Sequence, residues 1–172
     1  MTDIHSHRCP GCTEPDLAFV DHDHDRCASG VLQRAESLAQ AAGARLTPVR
    51  RRVLEILLEE HKALGAYDVL QRLAKEGFGH QPPVAYRALD FLVDQGFAHR
   101  IQRLNAFAAC MHPGETHSPA FLICKACSTV AEAPATLVRT ALETTAKDVG
   151  FTIERTNIEA LGLCPACKEK AE

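Results

Sequence analysis

Long hydrophobic runs are missing from this 172-residue sequence, and their absence excludes a membrane-spanning helix. The start of the chain, Met1 to His7, also lacks the basic region and apolar stretch of a secretory signal, so we expect a cytoplasmic protein. No internal repeat is visible, which argues against a repeat architecture. With 46% hydrophobic residues, the composition is that of a globular chain with ample material for a buried core.

A surplus of positive charge is missing as well, because the net charge is −3. The charge is unevenly distributed: residues 1–30 carry −4, residues 31–110 carry +3 and residues 111–172 carry −2. The middle of the chain is therefore its basic part. A surplus of this size permits contact with nucleic-acid phosphates without requiring it.

Cysteine, in contrast, is plentiful, with eight residues. Four of them form two matched CxxC pairs, Cys124 with Cys127 and Cys164 with Cys167. In a reducing compartment such pairs bind metal or carry out redox chemistry, and two pairs in distant segments favour a closed tetrahedral zinc site over dithiols or disulfides. Four protein ligands leave no position for a substrate, so we interpret this site as structural.

The basic middle of the chain predicts four short helices followed by a β-hairpin. Helical periodicity and stop signals place the helices at 31–42, 48–60, 66–76 and 83–95. The second has the clearest start, with Thr47 as N-cap and Pro48 at the first helical position. Alternating residues at 97–103 and 106–110 then predict the hairpin. This order is typical of a winged helix-turn-helix domain, whose last helix enters the major groove of DNA.

The remaining residues predict a small α/β domain that holds both thiolate pairs. Strands are expected near 120–123 and 129–132, a helix at 134–148 and a last strand at 151–160. The fold class is therefore α+β. We divide the chain into a His/Cys-rich flexible tail at 1–30, a winged-helix DNA-binding domain at 31–110 and a second domain at 111–172.

Several segments together resemble one known family. They are RLTPVR at 45–50, AYDVL at 66–70, PPVAYRALDFL at 82–92, GFAH at 96–99 and the two CxxC pairs. In this order they are similar to the ferric uptake regulator family of bacterial metal-dependent repressors, and within it to the zinc-sensing branch. The resemblance implies that residues 111–172 form a dimerisation and metal-binding domain. It also implies a homodimer that binds operator DNA when loaded with zinc and represses zinc uptake genes.

The resemblance further assigns DNA contacts to Tyr67, Tyr86 and Arg87. Arginine has the shape to bind guanine O6 and N7 together, and tyrosine can contact phosphate or a thymine methyl group. Without the resemblance, a Tyr-Arg pair on a helix is more often ordinary solvated surface. One position departs from the family pattern, because Val84 stands where a Ser or Thr is usual and a hydroxyl bond to phosphate is therefore lost.

A regulatory zinc site is implied at four more positions, His99, Cys110, His117 and Glu132. Each alone has an ordinary interpretation as a surface or core residue. The set suits tetrahedral zinc, because the thiolate of Cys110 favours zinc over the harder ligands that iron or manganese sensors use. Two residues of the same loop, His112 and Glu115, remain alternatives to His117.

The expected cofactor is zinc, with two ions per subunit. The tail leaves a third site open, built from Cys9, Cys12 and Cys27 with one histidine, against the alternative of a leader that binds metal adventitiously. The expected partners are double-stranded operator DNA and a second copy of the chain, with no membrane and no small-molecule substrate.

Three other functions compete with a zinc-responsive repressor. The first is an iron-, manganese- or peroxide-sensing regulator on the same fold. The second is a zinc-dependent or thiol-redox enzyme, but a zinc deaminase needs H-x-E and P-C-x-x-C, whereas the chain has H-x-x-E at 112–115 and Leu163 before Cys164. The third is a zinc-ribbon scaffold for partner proteins, which leaves the segment at 82–92 unexplained. We therefore expect a protein that is not an enzyme.

Overall fold

The computed structural model describes residues 17–19, 24–115, 117 and 119–170. A short 3-10 helix, Leu17–Phe19, precedes the regular elements. The α-helices are α1 (His24–Ala41), α2 (Pro48–Leu58), α3 (Ala66–Lys75), α4 (Pro82–Asp94), α5 (Thr136–Asp148) and α6 (Pro165–Glu169). The β-strands are β1 (Leu64–Gly65), β2 (Ala98–Ile101), β3 (Ala106–Ala109), β4 (Ala120–Cys124), β5 (Val130–Ala133) and β6 (Ile158–Gly162). None of the described helices is long and apolar enough to cross a membrane.

The first four helices and a three-stranded sheet form a winged-helix unit, which confirms that part of the fold prediction. Helix α2 starts where the sequence predicts, because the Thr47 hydroxyl accepts a hydrogen bond from the backbone N–H of Arg50 at 3.4 Å. The side chains of Leu54, Leu73 and Leu89 are fully buried between α2, α3 and α4. Strands β2 and β3 form the predicted hairpin, and β1 pairs with the outer side of β3. We call this hairpin the wing.

Helix α1 is longer than the sequence predicts. It begins at His24, so the predicted start at residue 31 is wrong and residues 24–30, which we assigned to the flexible tail, are helical. The buried positions Cys27, Val31, Ala35 and Ala39 recur every four residues and form one helix face. Alanine and cysteine give a weak apolar signal, which is why the pattern was missed.

A second sheet, in the order β5-β4-β6, carries the thiolate pairs. Strands β4 and β5 are antiparallel, whereas β4 and β6 are parallel and are joined through β5 and α5. The predicted last strand at 151–160 is wrong in its start, since β6 begins only at Ile158. The short elements β1 and α6 were not predicted.

The two sheets meet at a contact that we call the domain junction. Ile101 and Ala108 of the wing pack against Phe121, Ile123 and Val130 of the second sheet. The backbone N–H of Val130 also donates a hydrogen bond to the carbonyl of His61 at 2.9 Å. The junction therefore holds the winged-helix unit against the second sheet through apolar packing of the wing and a backbone hydrogen bond to His61.

Candidate metal centres and DNA-binding surface

The four cysteines of the CxxC pairs converge at one end of the second sheet. Strand β4 ends at Cys124, and its parallel neighbour β6 ends just before Cys164, so the turns after both strands meet. All four sulfur atoms lie within 4.8 Å of one another, and the Sγ atoms of Cys127 and Cys164 are 3.7 Å apart. Zinc–sulfur bonds of about 2.3 Å in a tetrahedron place neighbouring sulfurs about 3.8 Å apart. The spacing fits a metal, and the described cysteines form no disulfide.

The thiols of this cluster differ in pKa. The backbone N–H of Cys164 donates to the sulfur of Cys124 at 3.4 Å and lowers the pKa of that thiol to about 6. The hydroxyl of Thr129, 3.1 Å away, lowers the pKa of Cys127. The thiol of Cys167, hydrogen-bonded to Cys164, has its pKa raised to about 12. Four thiolates at this spacing repel one another, so full ionisation needs a bound cation.

A second cluster of possible ligands lies at the domain junction. His99 belongs to β2, Cys110 follows β3, His117 lies in the loop after it and Glu132 belongs to β5. One ligand atom from each of the four lies within 4.8 Å of the others. The Nε2 atoms of His99 and His117 are each 3.4 Å from the Glu132 carboxylate, and the Cys110 sulfur is 3.5 Å from His117 Nε2. The cluster thus joins the wing to the second sheet.

Hydrogen bonds with the backbone orient His117 and Glu132 in the junction cluster. His117 Nδ1 lies 2.8 Å from the carbonyl oxygen of Glu115. A carbonyl only accepts, so Nδ1 carries the proton and the Nε2 lone pair of the neutral ring faces the cluster. The backbone N–H of Met111 donates to Glu132 Oε1 at 3.1 Å and fixes the carboxylate, whose side chain is only 8% exposed.

Charge and burial at the junction cluster fit a divalent metal. Within the described residues, His99 Nε2 and Glu132 Oε2 are buried without a hydrogen-bond partner, although each lies near the other donors. Burial opposes ionisation of Glu132, but the neighbouring imidazoles of His112, His117 and His99 outweigh it and hold the pKa of this carboxyl well below its usual range. Buried atoms that converge on one point without bonding one another are what a metal site requires.

Ionisation of the other two donors depends on this environment. Burial raises the pKa of the Cys110 thiol, and the nearby charge of Glu132 raises it further. The nearby carboxylate of Glu132 raises the pKa of His117. A metal ion therefore has to replace the proton of Cys110, and it competes with protonation of His117.

The two alternatives to His117 lie differently in the structure. His112 Nδ1 is 3.5 Å from Glu132 Oε2, but His112 is outside the group of four whose ligand atoms converge. The carboxylate of Glu115 lies 3.8 Å from the guanidinium of Arg34 on α1, and Glu115 is also outside the group of four.

Helix α4 presents a polar, exposed face. Tyr86 is 40% exposed and Arg87 is exposed beside it, whereas Ala85 and Leu89 are buried. Val84 is half-buried and packs against the core. Tyr67 lies at the start of α3 and is 64% exposed.

The start of α2 is tied to α4 by an arginine. The guanidinium of Arg50 lies 3.6 Å above the ring of Phe91 and donates a hydrogen bond to the carbonyl of Arg45 at 2.8 Å. Such a stacked arginine fixes the angle between the two helices.

Comparison with known proteins identifies the family. The model of the ferric uptake regulator family matches residues 41–161. The chain belongs to this family. It is 39% identical over 140 residues to the zinc uptake regulation protein of Escherichia coli, covering 81% of this chain and 82% of that protein. The zinc uptake regulation protein of Shigella flexneri gives the same identity and coverage.

Solved structures of family members share the whole fold. A zinc uptake regulator complexed with zinc and DNA is 37% identical, with a TM-score of 0.79, covering 84% of this chain and 97% of the other. The crystal structure of holo XcZur is 38% identical, with a TM-score of 0.73, covering 83% of this chain and 99% of the other. The fold prediction is confirmed by both structures. The family consists of regulators rather than enzymes, as we expected.

Within this family member, the candidate third site is only partly described. Cys9 and Cys12 lie outside the described residues, whereas Cys27 lies on the buried face of α1.

Two groups that support the clusters are not predicted from the sequence. Thr129 follows the first CxxC pair by two residues, a signal that could have been used, but no sequence pattern marks the backbone N–H of Met111 as a partner of Glu132.

Proposed function

We propose that this protein is a zinc-responsive transcriptional repressor, which binds operator DNA as a zinc-loaded homodimer and controls zinc uptake genes. The observation that carries the proposal is the junction cluster of two imidazoles, a thiol and a carboxylate, with ligands from both the wing and the second sheet. Since its ligands come from two units, a metal bound there favours the arrangement in which the units are together.

The donor chemistry favours zinc over the metals of related sensors. A thiolate with two imidazoles and one carboxylate suits a tetrahedral zinc ion, while iron(II) and manganese(II) prefer oxygen and nitrogen ligands in larger coordination shells. Relatives from two bacteria are zinc uptake regulation proteins, which supports the same assignment here. We assign His99, Cys110, His117 and Glu132 to the regulatory ion, and Cys124, Cys127, Cys164 and Cys167 to a structural ion.

Helix α4 is the proposed reading element. We assign Arg87 and Tyr86 to contacts in the major groove, because both side chains point away from the core. Tyr67 at the start of α3 is assigned to the DNA backbone. The related regulator solved with zinc and DNA supports this use of the fold. Action on chromosomal DNA would place the protein in the cytoplasm.

The homodimer is supported by apolar surface on the second domain. In the part of the chain that the structure describes, helix α5 buries only Ala146, whereas Leu137 is 86% exposed and Phe151 just after the helix is 66% exposed. Strand β6 is at the edge of its sheet, and Leu161 on it is 46% exposed. An uncovered apolar helix and an edge strand with an exposed apolar side chain are surfaces that a second copy of the chain would bury.

The proposed mechanism is control of the angle between two winged-helix units. Two α4 helices on a dimer enter successive major grooves only when they are about 34 Å apart, one turn of B-DNA. When bound, zinc supplies the positive charge that draws the four junction donors together. Moving the equilibrium from mostly open to mostly closed needs a preference of about 10⁴, roughly 5.5 kcal/mol. Zinc sites in folded proteins supply about 10 kcal/mol or more.

We infer two zinc ions per subunit, one for each cluster. A third ion at Cys9, Cys12 and Cys27 remains a prediction. Mass spectrometry under native conditions of the wild type and of Cys9→Ser would count the ions, since loss of one ion in the variant is expected only if the tail forms a site.

The experiment that tests the function is a DNA-binding titration with buffered metals. Binding of a fluorescent duplex from the gene's own upstream region is measured by anisotropy at set free concentrations of zinc, manganese(II) and iron(II). We expect zinc to support DNA binding at a lower free concentration than manganese(II) or iron(II) does. His99→Ala should lose this dependence, while His80→Ala, which changes an exposed histidine outside the cluster, should keep it. Equal binding by metal-stripped and zinc-loaded protein would refute the proposal.

A further inference from the structure

A carboxylate of the second sheet holds the tip of the wing at a point away from both metal clusters. Glu159 on β6 accepts hydrogen bonds from two consecutive backbone N–H groups in the turn between β2 and β3. The N–H of Gln102 is 2.7 Å from Oε1, and the N–H of Arg103 is 2.9 Å from Oε2. The side chain of Asn157 donates to Oε1 at 2.8 Å and orients the carboxylate.

This arrangement bridges the same two units as the junction cluster but contains no metal ligand. Each carboxylate oxygen accepts one N–H of the turn, so both oxygens are fixed by the wing. The bonds outweigh the cost of partial burial and lower the pKa of Glu159, which keeps the group ionised at neutral pH. The contact can therefore form whether or not metal is present.

We propose that Glu159 is a positioning residue for DNA binding, which holds the wing tip on β6 and thereby favours the closed arrangement before metal binds. This inference rests on the proposed function, because closure matters only if it governs the fit to DNA. The apolar packing of Ile101 and Ala108 holds the strands of the wing at the junction, and Glu159 holds the turn beyond them. The packing at the strands and the hydrogen bonds at the turn together define the angle of the wing.

The thermodynamic consequence is a change in zinc sensitivity rather than in maximal DNA affinity. If Glu159 favours the closed form, removing its contact lowers the closed fraction of metal-free protein, and zinc has to supply the difference. The zinc affinity of the junction site then falls by the same factor. At saturating zinc the closed form is again dominant, so DNA binding recovers.

The test compares Glu159→Gln with Glu154→Gln, which removes the same charge from an exposed position in the preceding segment. In Glu159→Gln the amide NH₂ faces one of the two turn N–H groups, so a donor meets a donor. Because the contact is partly exposed to water, we expect the free zinc concentration for half-maximal DNA binding to rise about fivefold. Glu154→Gln should match wild type.

Two measurements without DNA separate positioning from a general structural role. Competition with a chromogenic zinc chelator should show about fivefold weaker binding at the junction site and unchanged binding at the four-cysteine site. Hydrogen exchange of the peptide containing Gln102 and Arg103 should be faster in Glu159→Gln, with the same dimer mass in sedimentation. Asn157→Ala, which removes one hydrogen bond from the same carboxylate, should shift zinc affinity in the same direction by less.

Two results would overturn the inference. The first is a Glu159→Gln protein with wild-type zinc affinity and wild-type exchange at the wing tip. The second is a variant that loses DNA affinity equally at every zinc concentration, since that pattern indicates a direct DNA contact. If wild-type protein binds DNA without regard to zinc, the proposed function fails, while the chelator and exchange measurements still report on the Glu159 contact.

Discussion

In the proposed regulatory site, the preference for zinc rests on Cys110. It is fully buried, and its sulfur lies 3.5 Å from His117 Nε2. Burial and the charge of Glu132 both raise its thiol pKa, so the thiolate forms only when a cation replaces the proton. A soft ligand that ionises only with a bound metal contributes to both affinity and selectivity.

Cys110→Ser should therefore abolish zinc-dependent DNA binding while leaving one zinc ion per subunit at the four-cysteine site. A serine hydroxyl stays protonated and is a weak zinc ligand, so the junction affinity should fall by more than about 100-fold, beyond the roughly 10–100-fold cost of altering a supporting group. Metal analysis and anisotropy titration check both parts. A variant that titrates like wild type would show that Cys110 is not a ligand.

The pH dependence of zinc binding should follow from His117. Its pKa is raised above the ordinary 6.5 by the nearby carboxylate of Glu132, so in metal-free protein this contact contributes stability below that value and loses it as pH rises through the raised pKa. Zinc competes with the same proton. We expect chelator competition to show junction affinity increasing from about pH 6 to about pH 8. Affinity that is flat over this range would contradict the assignment.

His112 and His117 can be separated by a matched pair of variants. Both rings contact Glu132, but only the Nε2 atom of His117 belongs to the group of converging donors. His117→Ala should weaken zinc at the junction by more than about 100-fold, and His112→Ala by about tenfold or less, as expected for a supporting group. Equal losses in the two variants would indicate that the histidines share the role of ligand.

At the scale of elements, α1 supports the loop that carries His117. Gly114 has a φ of +86°, and a Cβ added there would lie 2.7 Å from Cδ1 of Leu38 on α1. The loop thus passes α1 at a point where only glycine fits. This packing connects the first helix to the junction cluster.

Gly114→Ala should destabilise the protein by about 1–3 kcal/mol, because the backbone conformation is unfavourable for alanine and Leu38 has to move. It should also weaken zinc binding at the junction. Gly30→Ala on α1 is the matched control, since no described atom outside its immediate neighbours lies within 4 Å of the added methyl group, and it should stabilise the helix by about 0.5–1 kcal/mol. Thermal unfolding of both variants checks the signs, and a neutral Gly114→Ala would refute the argument.

The elements that are predicted well from the sequence are those with clear start and stop residues. Thr47 and Pro48 start α2, and Gly96 at φ +71° ends α4, so these bounds were correct within about two residues. The start of β6 was wrong because alternating apolar residues at 151–153 imitate a strand. In the structure the N–H of Phe151 instead bonds to the carbonyl of Ala146 at 2.8 Å and closes the end of α5.

The four-cysteine site and the junction cluster differ in how much of each can be predicted from the sequence. The CxxC spacing alone predicts the four-cysteine cluster, because each pair is a local turn. The junction cluster joins His99 to Glu132 through a wing, a loop and a sheet, and no spacing encodes that convergence. Its members were assigned through family resemblance. The contact of Glu159 with the wing tip has no sequence signal and was found only from the structure.

At the scale of the whole molecule, closure has contributions besides the junction donors. The apolar contact of Ile101 with Phe121, the backbone bond from Val130 to His61 and the Glu159 contact all join the winged-helix unit to the second sheet. Each also favours the closed form in metal-free protein. Metal then has to shift an equilibrium that is already biased, so the response occurs at lower free zinc than the junction ligands alone would give.

Dimerisation converts this closure into a spacing between two reading helices, and α5 provides the variant that tests it. Leu137→Glu places a charge at the most exposed apolar side chain of the helix, where it is harmless in a monomer but opposes burial against a second copy. We expect sedimentation to show a monomer or a weakened dimer and unchanged zinc at the junction site. DNA affinity should fall by more than about tenfold even at saturating zinc, since one winged-helix unit cannot use two half-sites.

The matched control is Glu143→Lys, which changes an exposed charge on the same helix without adding charge to an apolar position. It should dimerise as wild type does. If Leu137→Glu stays dimeric and binds DNA normally, the surface around α5 is not the dimer contact. If it becomes monomeric yet keeps full zinc-dependent affinity, the spacing between two copies does not govern recognition, and closure acts on the orientation of the wing within a single chain.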